Sequence, residues 1–368
     1  MGPLPIASLR TSLVSVSTAR LGFERPLGNA SKSLPSLDYV IVGVRAGDLE
    51  GLGYAFTPGH GARTIRSCIE EILRPVVVGA DALGPRDLWE AMWNRLRHLG
   101  PQGVGTFAMA AVDIACWDLA AQAQGLPLHR LLGHAGRALP VYATVGFLSL
   151  TMDELRQQTE KALERGVHGI KLMVGHPDPK VDAERIRAVA ELAGSSRRVM
   201  IDCNCAFRTV PEALDRMAAL GDLPVFWVEE PLQPHQAEDL AEFRRRAPFK
   251  TASGESVYTR YGIRALLEAG AVDIVQPDIF RLGGITECLR AFALIESHDL
   301  PVAPHHFPEL MTPLLGGSPN ALYVEYLPYF VDGIFERAPV IERGTIRPLE
   351  VPGHGLRFHP DVLKSAVE

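Results

Sequence analysis

The chain has 368 residues, 47% of them hydrophobic, and a formal net charge of −6 with an isoelectric point near 6.1. This length and apolar content allow a large core, with room for a barrel and a smaller domain, and argue against a disordered protein. The slight acidity and the lack of a lysine- or arginine-rich run argue against a nucleic-acid-binding protein.

The N-terminus shows no targeting signal. Met1–Ile6 lacks a charged segment followed by an apolar one, and Ile6 stands where an acylation signal needs serine or threonine. We find no apolar run of the roughly 20 residues that a membrane span needs. The five cysteines form no paired framework, and the C-x-C pair Cys203 and Cys205 lacks the further ligands of a zinc site. We therefore expect a soluble, cytoplasmic protein with no membrane partner.

The chain is predicted to begin with an antiparallel meander. Leu13–Ser17 alternates apolar and polar residues, as a half-buried strand does, and Tyr39–Val44 and Gly51–Phe56 are two further predicted strands. The Gly- and Ser-rich segment Leu21–Pro35 lies between the first two strands. A polar loop of this length could cover a binding site as a lid.

Three helices are expected to complete this domain. Ala62–Leu73 is amphipathic, and Pro85–His98 places its apolar residues at helical spacing. Thr106–Gln124 is rich in small apolar residues and should be buried, either under a barrel or against another subunit. We interpret residues 1–132 as an α+β capping domain with a lid loop near 21–35.

Strands and helices alternate strictly over residues 133–344. Such alternation predicts a parallel sheet, and eight strands close it into a (β/α)8-type barrel. The predicted strands are Val141–Val145, Gly169–Met173, Val199–Asp202, Val225–Glu229, Lys250–Gly254, Val272–Gln276, Pro301–Ala303 and Leu322–Glu325. The connection between the last two strands is irregular. The Pro- and Gly-rich segment 345–368 is expected to return to the capping domain.

Three of these strands end in an acid. Asp202, Glu229 and Glu255 are spaced by about 25–30 residues, the length of one strand-helix unit. Because all barrel strands end at one rim, the carboxylates should lie together, where they repel one another unless a cation sits between them. Each acid alone could be an ordinary loop or helix-capping residue. Three carboxylates at matching strand ends, however, favour a site for a hard cation, and Mg²⁺ is a better candidate than Mn²⁺.

Lys171 and Met173 are two residues apart on the second predicted strand and therefore share a face. If that face is the barrel interior, Lys171 comes close to the three carboxylates. The residues alone leave two roles equally open for Lys171: salt-bridge partner of the acids, or a group that contacts the substrate.

A histidine–aspartate pair is predicted where strands six and seven end. Asp278 follows strand six, and His305 and His306 follow strand seven, so that the aspartate can reach one of them. Such an aspartate raises the basicity of the ring and leaves its other nitrogen free to accept a proton. Glu325 ends strand eight and is either a surface carboxylate or a member of the same site.

Together these groups predict abstraction of a proton next to a carboxylate. A divalent cation would withdraw charge from the substrate carboxylate and lower the pKa of its α-C–H. The paired histidine would remove that proton. Lys171 and a protonated Glu325 would stabilise the charge that develops on the carboxylate oxygens.

The chain resembles the enolase superfamily, mandelate racemase subgroup, through motifs that occur in the family's order and spacing. They are Ile201-Asp-Cys-Asn204, Trp227-Val-Glu-Glu-Pro231, Ser253-Gly-Glu255, Gln276-Pro-Asp-Ile-Phe-Arg-Leu-Gly-Gly284 and His305. The resemblance covers nearly the whole chain. It implies a modified (β/α)7β TIM barrel with an N-terminal α+β capping domain, and assembly as a homo-oligomer.

The resemblance also implies a role for each candidate residue. The implied ligands of one Mg²⁺ per subunit are Asp202, Glu229 and Glu255. The implied catalytic residues are His305, Asp278, Lys171 and Glu325. The residues implied to contact the substrate are Asn204, Lys171, Glu325 and His60. His305 is preferred to His306 because it stands two residues before Phe307, as in the family's His-x-Phe. A loop histidine such as His60 is more often solvated.

The chain departs from the subgroup on strand two. The subgroup usually has Lys-x-Lys there, with the second lysine as a base opposite the histidine, whereas this chain has Lys171-Leu-Met173. A thioether carries no proton, so racemisation, which needs acid/base groups on both faces, is disfavoured. A one-base syn elimination survives, in which His305 takes the α-proton and returns a proton to the departing β-hydroxyl. Lys171 could act as the base only by swinging.

Many members of the subgroup dehydrate sugar acids. We therefore predict a Mg²⁺-dependent dehydratase that converts a small-molecule carboxylate, an aldonic or aldaric acid, to a 2-keto-3-deoxy acid. Two alternatives stay open. One is an isomerase, either an epimerase or racemase or a cycloisomerase, of a hydroxy acid or lactone. The other is a homologue that binds metal and ligand without turnover.

Overall fold

The structure, a computed structural model, describes residues 2–30 and 33–364, except for the side chain of Tyr329. The N-terminal strands are β1 (Ser8–Ser17), β2 (Leu27–Gly28), β3 (Ser33–Leu34), β4 (Ser36–Ala46) and β5 (Leu49–Thr57). Three of them form an antiparallel sheet in the order β1-β4-β5. β1 begins five residues before the predicted strand, because Ser8–Ser12 pairs with Ile41–Arg45 of β4 although its own sequence alternates poorly.

The predicted lid loop has structure of its own. β2 pairs with β3 as a short antiparallel ladder. The Arg25 guanidinium donates to the carbonyl oxygen of Ser149 at 2.7 Å and forms an ion pair with Glu154. These contacts attach the segment to the loop that follows the first barrel strand. Of the predicted lid, Ser31 and Lys32 lie outside the described residues.

The helices of the first domain are α1 (Ala62–Ser67), α2 (Arg74–Val77), α3 (Pro85–Leu96), α4 (Val104–Ala123) and α5 (Leu128–Leu131). A π-helical turn, Cys68–Leu73, joins α1 to α2, so the first predicted helix runs on past Pro75. Proline has no backbone N–H to donate, and a wider turn just before it accommodates the missing hydrogen bond.

The helix α4 is the core of the capping domain. By length and composition alone it could cross a membrane, contrary to our expectation that no apolar run reaches that length. However, 89% of its most apolar 18-residue window is buried inside the protein. Its residues pack against β5 and β4 and against the barrel. This burial is typical of the core helix of a folded domain.

The barrel strands are β6 (Leu139–Val145), β7 (Gly169–Met173), β8 (Arg198–Asp202), β9 (Val225–Glu229), β10 (Lys250–Ser253), β11 (Ile274–Val275) and β12 (Val324–Tyr326). Each pairs in parallel with its neighbour from β6 to β11, and β12 pairs in parallel with β6. The predicted strand Pro301–Ala303 is reduced to single bridges from Val302 to Val275 and to Ala321. The predicted TIM-barrel fold with an N-terminal capping domain is confirmed.

The barrel helices are α6 (Met152–Glu164), α7 (Pro179–Ala193), α8 (Val210–Ala218), α9 (Ala237–Arg246), α10 (Thr259–Glu268), α11 (Ile279–Leu282), α12 (Ile285–Glu296) and α13 (Pro308–Leu315). We did not predict α11 or α13. α13 accounts for the irregular connection before the last strand. Pro308 and Pro313 argued against a helix in this segment, because proline usually breaks helices. Pro308, however, occupies the first turn of α13, where proline is tolerated.

Seven buried, mostly large side chains fill the barrel below its rim. They are Tyr142, Met200, Trp227, Ala252, Ile274, Ala303 and Tyr323. The rings of Tyr142 and Trp227 meet edge to face, with centroids 5.3 Å apart. Groups at the carboxyl ends of the strands therefore stand on a packed floor and face the capping domain.

The C-terminal region consists of α14 (Pro328–Val331), β13 (Phe335–Arg337), β14 (Ile341–Glu342), β15 (Thr345–Ile346), β16 (Arg357–Phe358) and α15 (Pro360–Leu363). β15 pairs antiparallel with β6. The backbone N–H of His354 donates to Asp118 of α4 at 2.8 Å, and His354 Nε2 is 2.7 Å from the carbonyl oxygen of Leu52. These contacts hold the segment after Gly344 against the first domain. The boundaries between the predicted domains stay a prediction.

The capping domain is tied to the barrel where α12 begins. The Asp113 carboxylate accepts hydrogen bonds from the backbone N–H of Thr286 at 2.9 Å and from its hydroxyl at 2.7 Å. Gly284, just before α12, has a φ of 104°. A Cβ at this glycine would lie 2.5 Å from Asp113 Oδ2. A glycine at position 284 therefore allows two things: a backbone conformation that other residues rarely adopt, and the close approach of α4 to the start of α12.

Replacing Gly284 with alanine is expected to lower the urea midpoint more than Gly194→Ala does. Both glycines have positive φ and ψ near 180°, at 104° and −170° for Gly284 and 64° and −171° for Gly194, and a Cβ at Gly194 would meet nothing within 4 Å. The backbone strain is shared, so the clash with Asp113 should add about 1–3 kcal/mol of destabilisation. Equal losses in the two variants would contradict this role of Gly284.

Candidate active site

Three barrel strands bring carboxylates to one point of the rim. Asp202 ends β8, Glu229 ends β9, and Glu255 follows β10. The parallel register sets Asp202 opposite Glu229. One oxygen atom from each of the three acids lies within 4.8 Å of the others, and all three side chains are buried. Anionic oxygen donors at this spacing fit a hard divalent cation such as Mg²⁺.

The electrostatics of the three acids favour a cation. Burial raises the pKa of Asp202 to about 7 and that of Glu229 to about 8, and neighbouring carboxylates add to the rise, while Lys171 opposes it. Burial alone would also raise the pKa of Glu255, but His305 and other nearby cations lower the pKa of Glu255 overall. Mutual repulsion of this kind is relieved by positive charge placed between the acids.

Lys171 is held in place by carboxylates. Its side chain is 1% exposed, and Nζ contacts Glu229 Oε1, lies 2.9 Å from Glu325 Oε1 and lies 3.6 Å from Asp202 Oδ2. Burial would lower the pKa of Lys171, but these acids hold it well above its usual value. An ammonium group in this position is a poor proton acceptor. Of the two roles that the sequence left open, the geometry shows the salt-bridge partner, and the contact of Lys171 with the substrate stays a prediction.

The predicted histidine–aspartate pair is assembled. Asp278 Oδ1 accepts the backbone N–H groups of Phe280 and Arg281 at 2.8 and 2.9 Å, and Asp278 Oδ2 lies 2.7 Å from His305 Nδ1. His305 Nε2 is 3.3 Å from Glu255 Oε2. Burial would lower the pKa of His305, but Glu255 and Asp278 raise it to about 9. The backbone at the start of α11 thus fixes Asp278, and Asp278 orients the imidazole ring of His305. The Nε2 atom of this ring then faces the three acids, with Glu255 in contact.

His306 has a different environment. Its Nδ1 accepts the backbone N–H of Phe307 at 2.6 Å, so a neutral ring carries its proton on Nε2. Burial and the charge of His305 lower the pKa of His306 to about 3. The ring stacks on Phe307, with centroids 4.1 Å apart, and meets the edge of Phe330 at 4.7 Å. The structure thus brings His305 to the aspartate, as we had preferred, and places His306 in an aromatic wall.

Within the described chain, the contacts of Glu325 favour its ionised form. Its Oε1 accepts a hydrogen bond from the Thr144 hydroxyl and faces Lys171, and Oε2 accepts the backbone N–H of His306 at 2.7 Å. Burial would raise the pKa of Glu325, but Lys171, His305 and Thr144 lower it to about 2. The protonated carboxyl that we expect beside a bound substrate, and its hydrogen bond to the substrate carboxylate, stay predictions.

The two remaining candidates differ in position. Asn204 follows β8 with a φ of 46°, and its backbone N–H donates to Asp202 Oδ1 at 2.8 Å. Its amide oxygen is buried without a hydrogen-bond partner among the described residues, at the edge of the site. His60 is exposed in the bend between β5 and α1 and, in the described chain, does not line the site. The expectation that His60 contacts the substrate is therefore not supported.

Sequence reasoning assigned no role to several residues that orient the acids. Gln276 Nε2 donates to Glu229 Oε2 at 2.6 Å, and Trp227 Nε1 donates to the same oxygen at 3.2 Å. Arg281 lies 3.3 Å from Glu255 Oε1 and also donates to the carbonyl oxygen of Glu255 at 2.8 Å. All three residues belong to the sequence motifs that carry the family resemblance. Their positions at or near strand ends were the available signal.

A cavity of about 110 Å³ lies between this rim and the capping domain. Its rim side includes Lys171, Asp202, Glu255, His305 and Glu325. The opposite side is formed by apolar side chains of the capping domain and of the loops after the strands. The cavity brings one acid/base pair, one ammonium group and a cation site to the same small volume.

Two family profiles match the chain. Residues 12–133 match the mandelate racemase / muconate lactonizing enzyme, N-terminal domain, and residues 154–362 match the enolase C-terminal domain-like family.

Similar proteins have several activities. The chain is 32% identical over 323 residues to 3,6-anhydro-alpha-L-galactonate cycloisomerase of Streptomyces coelicolor, covering 87% of this chain and 89% of that protein. It is 33% identical over 316 residues to L-rhamnonate dehydratase of Saccharopolyspora erythraea, covering 80% and 77%. A solved racemase from Streptomyces coelicolor with bound magnesium has a TM-score of 0.92 at 29% identity, covering 98% of this chain and 100% of that one.

Proposed function

Because the chain belongs to the mandelate racemase/muconate lactonizing enzyme family of the enolase superfamily, we propose that it is a Mg²⁺-dependent dehydratase. The substrate class is a 2,3-dihydroxy carboxylate, which includes the aldonic and aldaric acids, and the product is a 2-keto-3-deoxy acid. The observation that carries the proposal is a single oriented base, His305 on Asp278, beside a buried lysine and three acids. The dehydratase among the similar proteins supports the same reaction class.

The cation would be held by Asp202, Glu229 and Glu255, whose buried oxygens fit it in kind and spacing. Once bound, Mg²⁺ would draw charge from the substrate carboxylate and make the α-C–H more acidic. The ammonium group of Lys171 adds positive charge on the same side of the cavity. Because the site is buried, such fixed charges act strongly on charge that develops in the substrate.

In the proposed reaction, the imidazole of His305 both removes the α-proton and returns a proton to the leaving hydroxyl. The neutral ring of His305 accepts the α-proton on Nε2, while Asp278 holds Nδ1 and stabilises the imidazolium that forms. A cation held by Glu255 would offset the negative charge that raises the pKa of His305 and so favour the neutral ring. The C–H electron pair forms the new bond between the α- and β-carbons as the C–O bond to the β-hydroxyl breaks. The imidazolium returns the proton to that hydroxyl, which leaves as water, and the resulting enol becomes the 2-keto acid. One base therefore completes the reaction.

The test is incubation of the protein and Mg²⁺ with a library of 2,3-dihydroxy acids. We expect a product that has lost the mass of one water and that gives a semicarbazone. Turnover that only changes configuration at the α-carbon would contradict dehydration. Semicarbazone formation by the protein without Mg²⁺ would contradict the role of the cation.

An isomerase is the second candidate, favoured by the cycloisomerase among the similar proteins. A cycloisomerase also needs only one oriented base, so the His305–Asp278 pair supports it equally. The masses of the products separate the two reactions, because an isomer keeps the mass of its substrate. A screen that includes lactones therefore decides between them.

Replacing Met173 with leucine is expected to leave kcat within about threefold of the unchanged enzyme. Met173 is 6% exposed and lines the cavity, and leucine has a similar volume and likewise carries no proton. Met217→Leu, in the buried face of α8, is the matched control for loss of a buried thioether. A hundredfold fall in kcat for Met173→Leu alone would show that the thioether has a role beyond filling space.

A further inference from the structure

The cavity has a polar floor and an apolar roof. The roof combines side chains of the capping domain with side chains of the loops after the first and last barrel strands. They are Leu34, Phe56, Phe107, Phe147, Leu327 and Phe330. Four of these six side chains are no more than 5% exposed, and Phe56 and Phe107 are half-buried. A ligand that reaches from the floor toward the described part of the capping domain therefore meets mainly hydrocarbon.

The rings around this roof support one another. Phe56 lies with its centroid 5.6 Å from that of Phe307 and 5.7 Å from that of Phe330. Phe280 lies 4.5 Å from Phe307 and 6.2 Å from Phe107. Rings at these distances attract one another and hold each other in place. The apolar character is thus a property of a connected cluster and does not depend on the orientation of one side chain.

Few neutral polar atoms at the cavity are uncommitted. Asn29, which is the single polar side chain that the described part of the capping domain brings to the cavity, has an interaction partner of its own. The Thr144 hydroxyl is already bonded to Glu325. Asn204 Oδ1 and His306 Nε2 are buried without a partner in the described structure. The described cavity therefore offers few neutral partners to further hydroxyls of a ligand.

Taking the dehydration proposed above as the reaction, we propose that the enzyme selects short 2,3-dihydroxy carboxylates whose remaining carbons form a hydrocarbon group. A fully hydroxylated chain brings a hydroxyl on every further carbon, and against this roof each would lose its hydrogen bonds to water without replacement. An alkyl group loses none and gains from burial. The volume of about 110 Å³ is below that of ordinary ligand pockets, so the group is small.

The sharpest test compares acids that differ only in the hydroxyls beyond the β-carbon. Pairs of matched configuration are 2,3-dihydroxybutanoate with 2,3,4-trihydroxybutanoate, and 2,3-dihydroxypentanoate with 2,3,4,5-tetrahydroxypentanoate. We expect kcat/KM for keto-acid formation to be at least about tenfold higher for the deoxy acid of each pair. A calorimetric titration with Mg²⁺ present compares 2-hydroxybutanoate with 2,4-dihydroxybutanoate. These lack a β-hydroxyl, so their binding is read without dehydration.

The outcomes separate this inference from the proposed function. Keto acid formed preferentially from the deoxy acids supports both. Keto acid formed preferentially from the fully hydroxylated acids supports dehydration and overturns the apolar selection. Tighter binding of 2-hydroxybutanoate with no keto acid from any compound supports the selection and overturns dehydration. Equal or no binding of the two titrants, with no keto acid, overturns both.

A change in the roof provides a second measurement. Phe107→Gln places an amide beside the distal group, and we expect the preference for the deoxy acid to fall at least about fivefold. Phe107 is half-buried, so the substitution should not prevent folding, and the thermal midpoint checks this. Phe226→Gln, a half-buried phenylalanine in β9 that does not line the described cavity, is the control and should keep the preference. A preference unchanged by Phe107→Gln would overturn the role of the roof.

Discussion

Replacing His305 with asparagine is expected to lower kcat at least about 10³-fold, the largest effect of any change that leaves the acids intact. The variant loses the nitrogen that faces Glu255 and can accept the α-proton, while an amide can still bond to Asp278. Substrate and Mg²⁺ binding should change little. The measurements are the rate of keto-acid formation and, by NMR in deuterated water, the exchange of the α-hydrogen.

The control for this variant is His60→Asn. His60 is exposed and lies outside the described cavity, so its replacement should leave kcat unchanged. Lys171→Ala gives a second comparison, because it removes the ammonium group from three carboxylates but leaves the imidazole in place. Full turnover by His305→Asn, or exchange that stops only in Lys171→Ala, would refute His305 as the base.

Replacing Asp202 with asparagine is expected to weaken Mg²⁺ binding at least about 100-fold and to reduce turnover in parallel. The substitution removes one of three anionic ligands but keeps an oxygen that can accept the backbone N–H of Asn204. Calorimetric titration gives the affinity. Thermal unfolding gives an independent measure, because a ligand that binds only the folded state stabilises it by an amount that grows with the logarithm of the ligand concentration divided by its dissociation constant.

The matched control for the loss of a carboxylate is Asp215→Asn, on the exposed face of α8 in the same strand-helix unit as Asp202. It should bind Mg²⁺ like the unchanged protein. If Asp202→Asn also gives an unchanged Mg²⁺ titration, the three acids are not the cation site.

The barrel and its acids could be predicted because both follow from local pattern. Alternating strand and helix patterns fix a parallel barrel, and a parallel barrel brings every strand end to one rim. Asp202, Glu229, Glu255, Asp278 and His305 each stand at or just past a strand end, so their proximity followed without any contact being known. The register between β8 and β9 shows the same relation in the structure.

The remaining features depend on contacts between distant segments. Strand seven is reduced to bridges at Val302, since its extent depends on its two neighbours and little on its own sequence. The contacts of Glu325 with Lys171 and Thr144 join its strand to two strands that are distant from it in sequence. The aromatic roof is assembled from both domains, and no segment alone has a pattern that indicates it. These features were accordingly missed or wrongly predicted.

The strained backbone at His306 and Phe307 is held in place by the capping domain. Both residues have positive φ, at 53° and 51°, a conformation that costs non-glycine residues about 1–3 kcal/mol each. Phe56 of the capping domain packs against both rings, with centroids 5.9 and 5.6 Å away. An excised barrel would lose that clamp and let the peptide beside His305 relax. We therefore expect a chain trimmed to its barrel to lose the orientation of His305 and, with it, most of its activity.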